Sequence, residues 1–405
     1  MRSRRQVRRA CVASLACVLT LPLPVRPQAN DSQKQKLPKP RELDSGIIWQ
    51  RDPSTGELHA TIERKAPPPG VSNAGAASPP LAAIRSSTQM VAVTCTVATA
   101  DGAPVPGLAR ADFRIYDDGA EQRLAYFDAS HQPASVAIVI DASPSILPDS
   151  DQMKSAANAL IDALAPLDQA AIVDFAFHTY LQVPFSDVRE LLRRAVARVN
   201  VRELFNDTGG SNIYEAVYLT ARELFPGRTG RKAIVLLTDG QDSGLGLTLD
   251  PASAAPSAHA PNKLTFDDVS RLLASEDMQV FAVSTENRPK IMTPSWLAAH
   301  ADRTLITPDD RDTHIPPYTL YLTELVRRAG GQLYFLREAP TLADTFRQIA
   351  EKIRAEYTLG YYPQPPQSAS AAPAHAGWHS LRVELPGQPN VVISHRAAYY
   401  LPVSR

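Results

Sequence analysis

Hydrophobic positions along this chain follow two rhythms. Between residues 133 and 356, short continuous apolar runs alternate with segments whose apolar residues recur every three or four positions. Residues 135–140 read as a fully apolar strand, and Met153, Ala157, Leu160, Ile161 and Leu164 then mark one helical face. Strands over 170–175 and 180–183 precede helices over 188–199 and 213–225, a strand over 233–238, a helix over 266–274 and a strand over 279–284. A helix over 320–329, a strand over 332–335 and a helix over 342–356 complete the series. Strands apolar on both faces and separated by helices predict a doubly wound, Rossmann-like α/β domain with a mostly parallel sheet. Two Pro- and Ala-bearing interruptions, 243–263 and 286–317, read as functional or disordered loops rather than core.

On either side the period drops to two. Residues 90–99 alternate, Asp101-Gly102 turns, and 113–116 lead through Asp117-Asp118-Gly119 into 123–127. After the last helix, 357–362, 380–385, 391–395 and Tyr399-Tyr400 read as strands. Neither segment, 84–130 or 357–405, has enough strands for a stable sandwich alone. The expectation is one small β-sandwich built from both, with the α/β domain inserted between them. Tyr361-Tyr362 and Tyr399-Tyr400 read as sandwich packing rather than glycan platforms. His375 and His379 have metal-compatible spacing but stand in an Ala/Ser/Pro loop without a third ligand, and read as solvated.

Composition changes the picture at the amino terminus. The 405 residues include 35 Pro against 19 Gly, above the usual share of about 5% Pro. Eight of those prolines lie in 31–80, so 31–83 reads as a disordered linker, with 47–49 and 58–62 as the one place where a weak hairpin could dock. Ahead of it, Arg2, Arg4, Arg5, Arg8 and Arg9 precede an apolar run over 10–23, followed by small or polar residues near Ala29. This is the layout of a secretory signal peptide over 1–30, and the apolar run is short for a membrane span of about 20 residues. The expectation is an exported protein of the periplasm, cell envelope or medium, with no stable membrane span once the signal is cleaved. Residues 3–7 also resemble a degenerate twin-arginine signal, which leaves Sec and Tat both open. Cys11 and Cys17 lie inside the signal. Cys95 then has no intramolecular disulfide partner and reads as a buried, inert thiol.

The formal charge is zero, with 42 basic and 42 acidic residues, which argues against a nucleic-acid groove. Residues 1–30 hold six Arg and no acid, so the rest carries 36 basic and 42 acidic residues, a net charge of minus 6.

Ligands of open parallel sheets bind at the carboxyl ends of strands. Here those ends read Asp141-Ala142-Ser143-Pro144-Ser145 and Thr238-Asp239-Gly240, with a further hydroxyl from Gly209-Gly210-Ser211. Such hard oxygen donors suit Mg²⁺. Asp141-x-Ser143-x-Ser145, the later glycine-hydroxyl turn and Thr238-Asp239-Gly240, in that order, resemble the metal-ion-dependent adhesion site (MIDAS) of von Willebrand factor type A domains, over roughly 133–356. The resemblance implies Ser143, Ser145 and Ser211 as direct metal ligands, with Asp141 and Asp239 acting directly or through water. It implies Mg²⁺, or Mn²⁺ or Ca²⁺ in its place, and a protein partner that donates a Glu or Asp. The family more often has Thr where Ser211 stands, and Thr208 is the alternate donor. The flanks, 107–119, 357–363 and 396–400, resemble those of bacterial exported "VWFA-related" proteins, abundant in Acidobacteria.

Other readings remain open. The Ser/Asp set could cap the following helix without holding metal. Asp141 could serve as the nucleophile of a Mg²⁺-dependent phosphatase, although Ser143 stands where such enzymes place a second Asp. The module could be structural, with a vestigial site. No G-x-S-x-G, Walker A or H-E-x-x-H motif is present, so a non-enzyme is expected. Asp242 reads as facing solvent.

Overall fold

The computed structural model describes residues 36–44, 47–53, 58–62, 90–99, 103–130, 132–201, 210–245, 263–300, 305–306, 315–338, 342–354, 356–363, 377–388 and 390–401. The expected signal peptide, Thr208, His375 and most of 243–263 lie outside the described residues. In chain order come strands β1 (Arg41–Glu42), β2 (Ile47–Arg51) and β3 (Leu58–Ile62), then β4 (Val91–Thr99), β5 (Arg114–Asp117), β6 (Ala120–Gln122) and β7 (Leu124–Asp128). The α/β unit runs β8 (Ala134–Asp141), α1 (Ser150–Ala163), β9 (Gln169–Phe175), β10 (Thr179–Ser186), α2 (Arg189–Arg198), α3 (Ile213–Leu224), β11 (Arg231–Thr238), α4 (Phe266–Ser275), β12 (Gln279–Ser284), α5 (Pro294–Ala299), α6 (Pro317–Arg328), β13 (Leu333–Phe335) and α7 (Leu342–Arg354). β14 (Glu356–Tyr361), β15 (Gly377–Glu384), β16 (Val391–His395) and β17 (Ala398–Leu401) follow.

The large sheet has the order β1-β10-β9-β8-β11-β12-β13, parallel from β9 to β13 and antiparallel at the β10 and β1 edge. Its middle strand shows why these strands are continuously apolar. Val136, Ile138 and Ile140 of β8 enter one core with α1, α2 and α7, while Ala137 and Val139 enter a second core with α3, α4 and α6. Both faces are covered, so both must be apolar. On α1, Met153, Ala156, Ala157, Leu160 and Ile161 are buried at helical spacing. The interruption 286–317, read above as loop, carries α5 and a small core of its own, in which Met292, Leu305, Ile315 and Leu320 are buried against Trp296.

Within 31–83, the hairpin foreseen at 47–49 and 58–62 is present, and a strand not foreseen, β1, precedes it. β1 adds to the free edge of β10, pairing Arg41 with Leu181, and Asp44 Oδ2 lies 2.6 Å from His178 Nδ1. β2 and β3 form an antiparallel hairpin, and Trp49 meets Tyr218 of α3 edge to face at 5.5 Å. Arg51 donates to both carboxylate oxygens of Asp268, at 3.1 and 2.8 Å. For the described strands of this segment, an existing sheet edge supplies backbone partners and one tryptophan supplies area.

Two four-stranded sheets, β16-β4-β14-β7 and β17-β15-β5-β6, each combine strands from before and after the α/β unit. Val93, Cys95, Leu359 and Tyr361 from the first share a core with Ile115, Leu381, Val383 and Tyr399 from the second. Cys95 is fully buried. This pair of sheets docks at the amino-terminal ends of the parallel strands. Arg231, which opens β11, donates to Thr358 Oγ1 at 2.7 Å, Thr94 Oγ1 to Asp277 Oδ2 at 2.5 Å, and the buried Arg396 guanidinium to the carbonyls of Ala274 and Ala92.

His379 is not the solvated loop residue expected. β15 starts three residues earlier than the sequence suggests, and its alternation places His379 on the inward face with Leu381 and Val383.

Candidate metal centre

Adjacent strands β8 and β11 run in parallel, with Ile140 level with Leu237, so Asp141 and Asp239 leave the sheet side by side at its carboxyl edge. The chain then turns sharply after each strand. Behind β8, the Asp141 Oδ1 accepts the Ser143 N–H at 2.9 Å, an aspartate turn that brings Ser143 back over the strand end. Behind β11, Thr238 Oγ1 accepts the Gly240 N–H at 3.0 Å, and Asp239 Oδ1 accepts the Gln241 N–H at 2.9 Å. Gly240 takes φ +90°, the left-handed region, where a side chain would be strained by the backbone alone.

The five residues singled out from the sequence converge. Asp141 Oδ2 accepts from Ser211 Oγ at 3.4 Å, and Ser143 Oγ lies 3.0 Å from Ser145 Oγ. The Ser145 hydroxyl also favours the ionised form of Asp239. Asp141, Ser143, Ser211 and Asp239 are buried, with at most 4% of their surface exposed, whereas Ser145 is exposed and marks the side open to solvent. Ser211 stands just ahead of α3, and the described chain gives no comparison with Thr208.

Electrostatically the centre is short of positive charge. Burial pushes both carboxyls up from their ordinary range, and Asp239 adds to the effect on Asp141. Among the described residues no lysine or arginine forms an ion pair with either carboxylate; a further acid, Asp149, acts on Asp239 and is itself paired with Arg337 at 3.3 Å. Glu286 is raised as well, by burial and then by Asp239. Two buried carboxylates and three hydroxyls, all hard oxygens, gathered at one sheet edge with no ion pair to either carboxylate among the described residues, are a donor set that fits a divalent cation of the Mg²⁺ class. A set built only for capping would not need two desolvated acids facing each other.

Two residues deserve correction or addition. Asp242, expected at the surface, is fully buried. Its Oδ2 accepts the Tyr214 N–H at 3.4 Å and its Oδ1 accepts the Leu245 N–H, so it satisfies one free amide in the first turn of α3 and one in the segment after β11. Its carboxyl is pushed up to about 6, burial outweighing those backbone donors. Thr238, which sequence reasoning treated only as part of a motif, donates its hydroxyl to Asp141 Oδ2 at 2.6 Å and so orients that carboxylate. The signal for it was the threonine's place as the last residue of a strand beside Asp141.

Residues 136–241 match the family model of the von Willebrand factor type A domain. Residues 136–241, β8 through β11 of the α/β unit, are thus a stretch of von Willebrand factor type A domain. That family commonly holds a divalent metal at a MIDAS. A search of curated proteins gives no match. Solved structures similar to this chain include a von Willebrand factor type A protein from Catenulispora acidiphila, at 13% identity over 79% of this chain and 76% of that one, with a TM-score of 0.36. Others are the vWF domain of the type V pili tip protein Mfa5 from Porphyromonas gingivalis (11% identity, 56% of this chain, 96% of that one, TM-score 0.38) and proximal thread matrix protein 1 from the mussel byssus with a zinc-occupied MIDAS motif (18%, 59% and 50%, TM-score 0.38). Among the described residues, no helix is long and apolar enough to cross a membrane.

Proposed function

We propose that this chain is an exported, metal-dependent protein-binding module whose von Willebrand factor type A domain recognises an acidic group of a protein partner. The observation that carries the reading is the pair of buried carboxylates, Asp141 and Asp239, beside three hydroxyls at one sheet edge, with no ion pair to either carboxylate among the described residues. Ser143, Ser145 and Ser211 would hold Mg²⁺ directly, with Asp141 and Asp239 direct or through water; Mn²⁺ and Ca²⁺ are the alternatives. Bound there, the cation would offer an electrophilic position to a Glu or Asp oxygen from outside, provided that Asp141 and Asp239 act through water and leave neutral hydroxyls as its direct ligands. Asp141 and Thr238 orient the donors, and exposed Ser145 marks the approach.

A non-catalytic role is part of the proposal. A nucleophilic carboxylate needs one free, accessible oxygen. Here Asp141 has 2% of its surface exposed, Oδ1 accepts from Ser143, and Oδ2 accepts from Thr238 and Ser211. Phosphate release with Mg²⁺ that disappears in Asp141→Asn would overturn this part.

The test of the binding reading has two arms. Millimolar Mg²⁺ or Mn²⁺ is expected to raise the melting temperature of the wild type and to leave Asp141→Ala and Ser143→Ala unmoved. Capture of a protein from envelope fractions or culture supernatant on immobilised wild type is expected with Mg²⁺ and not with chelator or with Asp141→Ala. A melting temperature indifferent to the cation in wild type and variants alike sinks the metal reading.

A further inference from the structure

The second sheet pair carries a cluster with no part in the centre above. Asp117 ends β5, Asp118 sits in the turn to β6, and His379 lies on β15, which pairs with β5 through Leu381 and Asp117. One oxygen or nitrogen from each falls within 4.8 Å of the others. His379 Nδ1 lies 2.9 Å from Asp118 Oδ2 and 3.4 Å from Asp117 Oδ1.

Each carboxylate uses one oxygen as an anchor and presents the other. Asp117 Oδ2 accepts two phenolic hydroxyls, Tyr361 at 2.9 Å and Tyr399 at 2.7 Å. Asp118 Oδ1 accepts the Ser380 N–H at 2.8 Å and the Ser380 hydroxyl at 3.1 Å. The His379 ring is stacked on Tyr399, with centroids 4.9 Å apart. Asp117 Oδ1 is left as a buried acceptor that receives no hydrogen bond, on a residue with 6% of its surface exposed. A buried carboxylate oxygen held toward a histidine nitrogen without a donor is costly unless something else satisfies it.

We propose that Asp117 Oδ1, Asp118 Oδ2 and His379 Nδ1 form a Zn²⁺ site. Tetrahedral zinc bonds of about 2.0–2.2 Å place neighbouring ligand atoms about 3.3 Å apart, close to the separations of 2.9 and 3.4 Å seen here. The anchoring donors act as the outer shell that fixes carboxylate orientation at zinc sites. A histidine nitrogen among carboxylates favours zinc over magnesium. Asp118, 53% exposed at its side chain, leaves a route for the ion and a position for water. The ion would tie β5 to β15, strands that flank the whole inserted domain, and so clasp residues 117 and 379 across a very long loop.

The experiment uses the full chain in the Asp141→Ala background, stripped with chelator and titrated with Zn²⁺ by calorimetry and thermal melting in excess Mg²⁺. One Zn²⁺ per chain is expected, with a rise in melting temperature. Asp118→Asn is the decisive variant: the position is exposed, its φ of 48° suits asparagine, and Asn keeps an oxygen for Ser380. It should weaken Zn²⁺ at least tenfold while leaving the circular dichroism unchanged. His379→Gln should abolish binding, and Co²⁺ in place of Zn²⁺ should give visible absorption that both variants lose. No Zn²⁺ binding in the Asp141→Ala background, or binding that Asp118→Asn leaves at wild-type strength, overturns the proposal. Neither result depends on the Mg²⁺ reading, because the Asp141 site is disabled throughout.

Discussion

At Asp141, burial and the neighbouring Asp239 oppose ionisation, whereas hydrogen bonds from Ser143 and Thr238 favour it, and burial wins. Asp239 and Asp242 are displaced in the same direction, Asp242 to about 6. A carboxyl raised above its unfolded value of about 3.9 takes up a proton on folding. Its contribution to stability is complete below that value and is lost as the pH climbs through the folded one. In the absence of metal, the melting temperature is therefore expected to fall across pH 4–7 more steeply in the wild type than in Asp141→Asn. Mg²⁺ favours the ionised pair and should flatten the wild-type slope. Melting curves at several pH values, with chelator and with Mg²⁺, check both statements; equal slopes in all four series would show that the pair is not the titrating group. These acids were legible in the sequence because each follows an apolar strand, where the chain must emerge at the sheet edge. Asp242 was not. Its burial depends on the free amide groups of a helix that starts 29 residues earlier in the chain, and no local pattern announces such a partner.

At the level of elements, legibility followed burial on two faces. β8, β9, β11 and β12 were read nearly to their ends because a strand covered on both sides must be continuously apolar. β1 escaped notice because two residues that join an edge through backbone hydrogen bonds need no side-chain pattern. The hairpin of β2 and β3 is intermediate: its strands were visible, but what holds it lies on α3 and α4. Trp49 packs on Tyr218, and Arg51 pairs with Asp268, which also completes the capping box of Thr265 at the start of α4. Thr265→Ala should therefore cost about 1 kcal/mol by loss of the cap. Trp49→Ala should instead release the hairpin, raising amide exchange over 47–51 and proteolysis in 47–53 by an order of magnitude or more, with little effect on exchange in β8 and β11. Unchanged protection of the hairpin in Trp49→Ala would mean that the backbone pairing, and not the aromatic contact, holds it.

Across the whole molecule, the two ends of the parallel strands do different work. The flanking sheets dock at the amino-terminal ends, through Arg231 and Arg396, while the candidate centre lies at the carboxyl ends of β8 and β11. An eight-residue strand separates them by roughly 25 Å. That arrangement leaves the centre free of the flanking sheets and makes mechanical separation of the two an expectation. Leu359 is the sharpest probe. It is fully buried on β14, the strand between β4 and β7, so it sits where the segments before and after the inserted domain meet. Leu359→Ala should cost about 2–5 kcal/mol of stability through transfer and cavity terms. The Mg²⁺ affinity of the folded variant at 25 °C, read by calorimetry, should nevertheless match that of the wild type within about twofold, since residues this far apart without shared partners act additively. A loss of tenfold or more would mean that the β14 region biases the geometry of the metal centre. The flanking sheets would then belong to the binding apparatus rather than to its support.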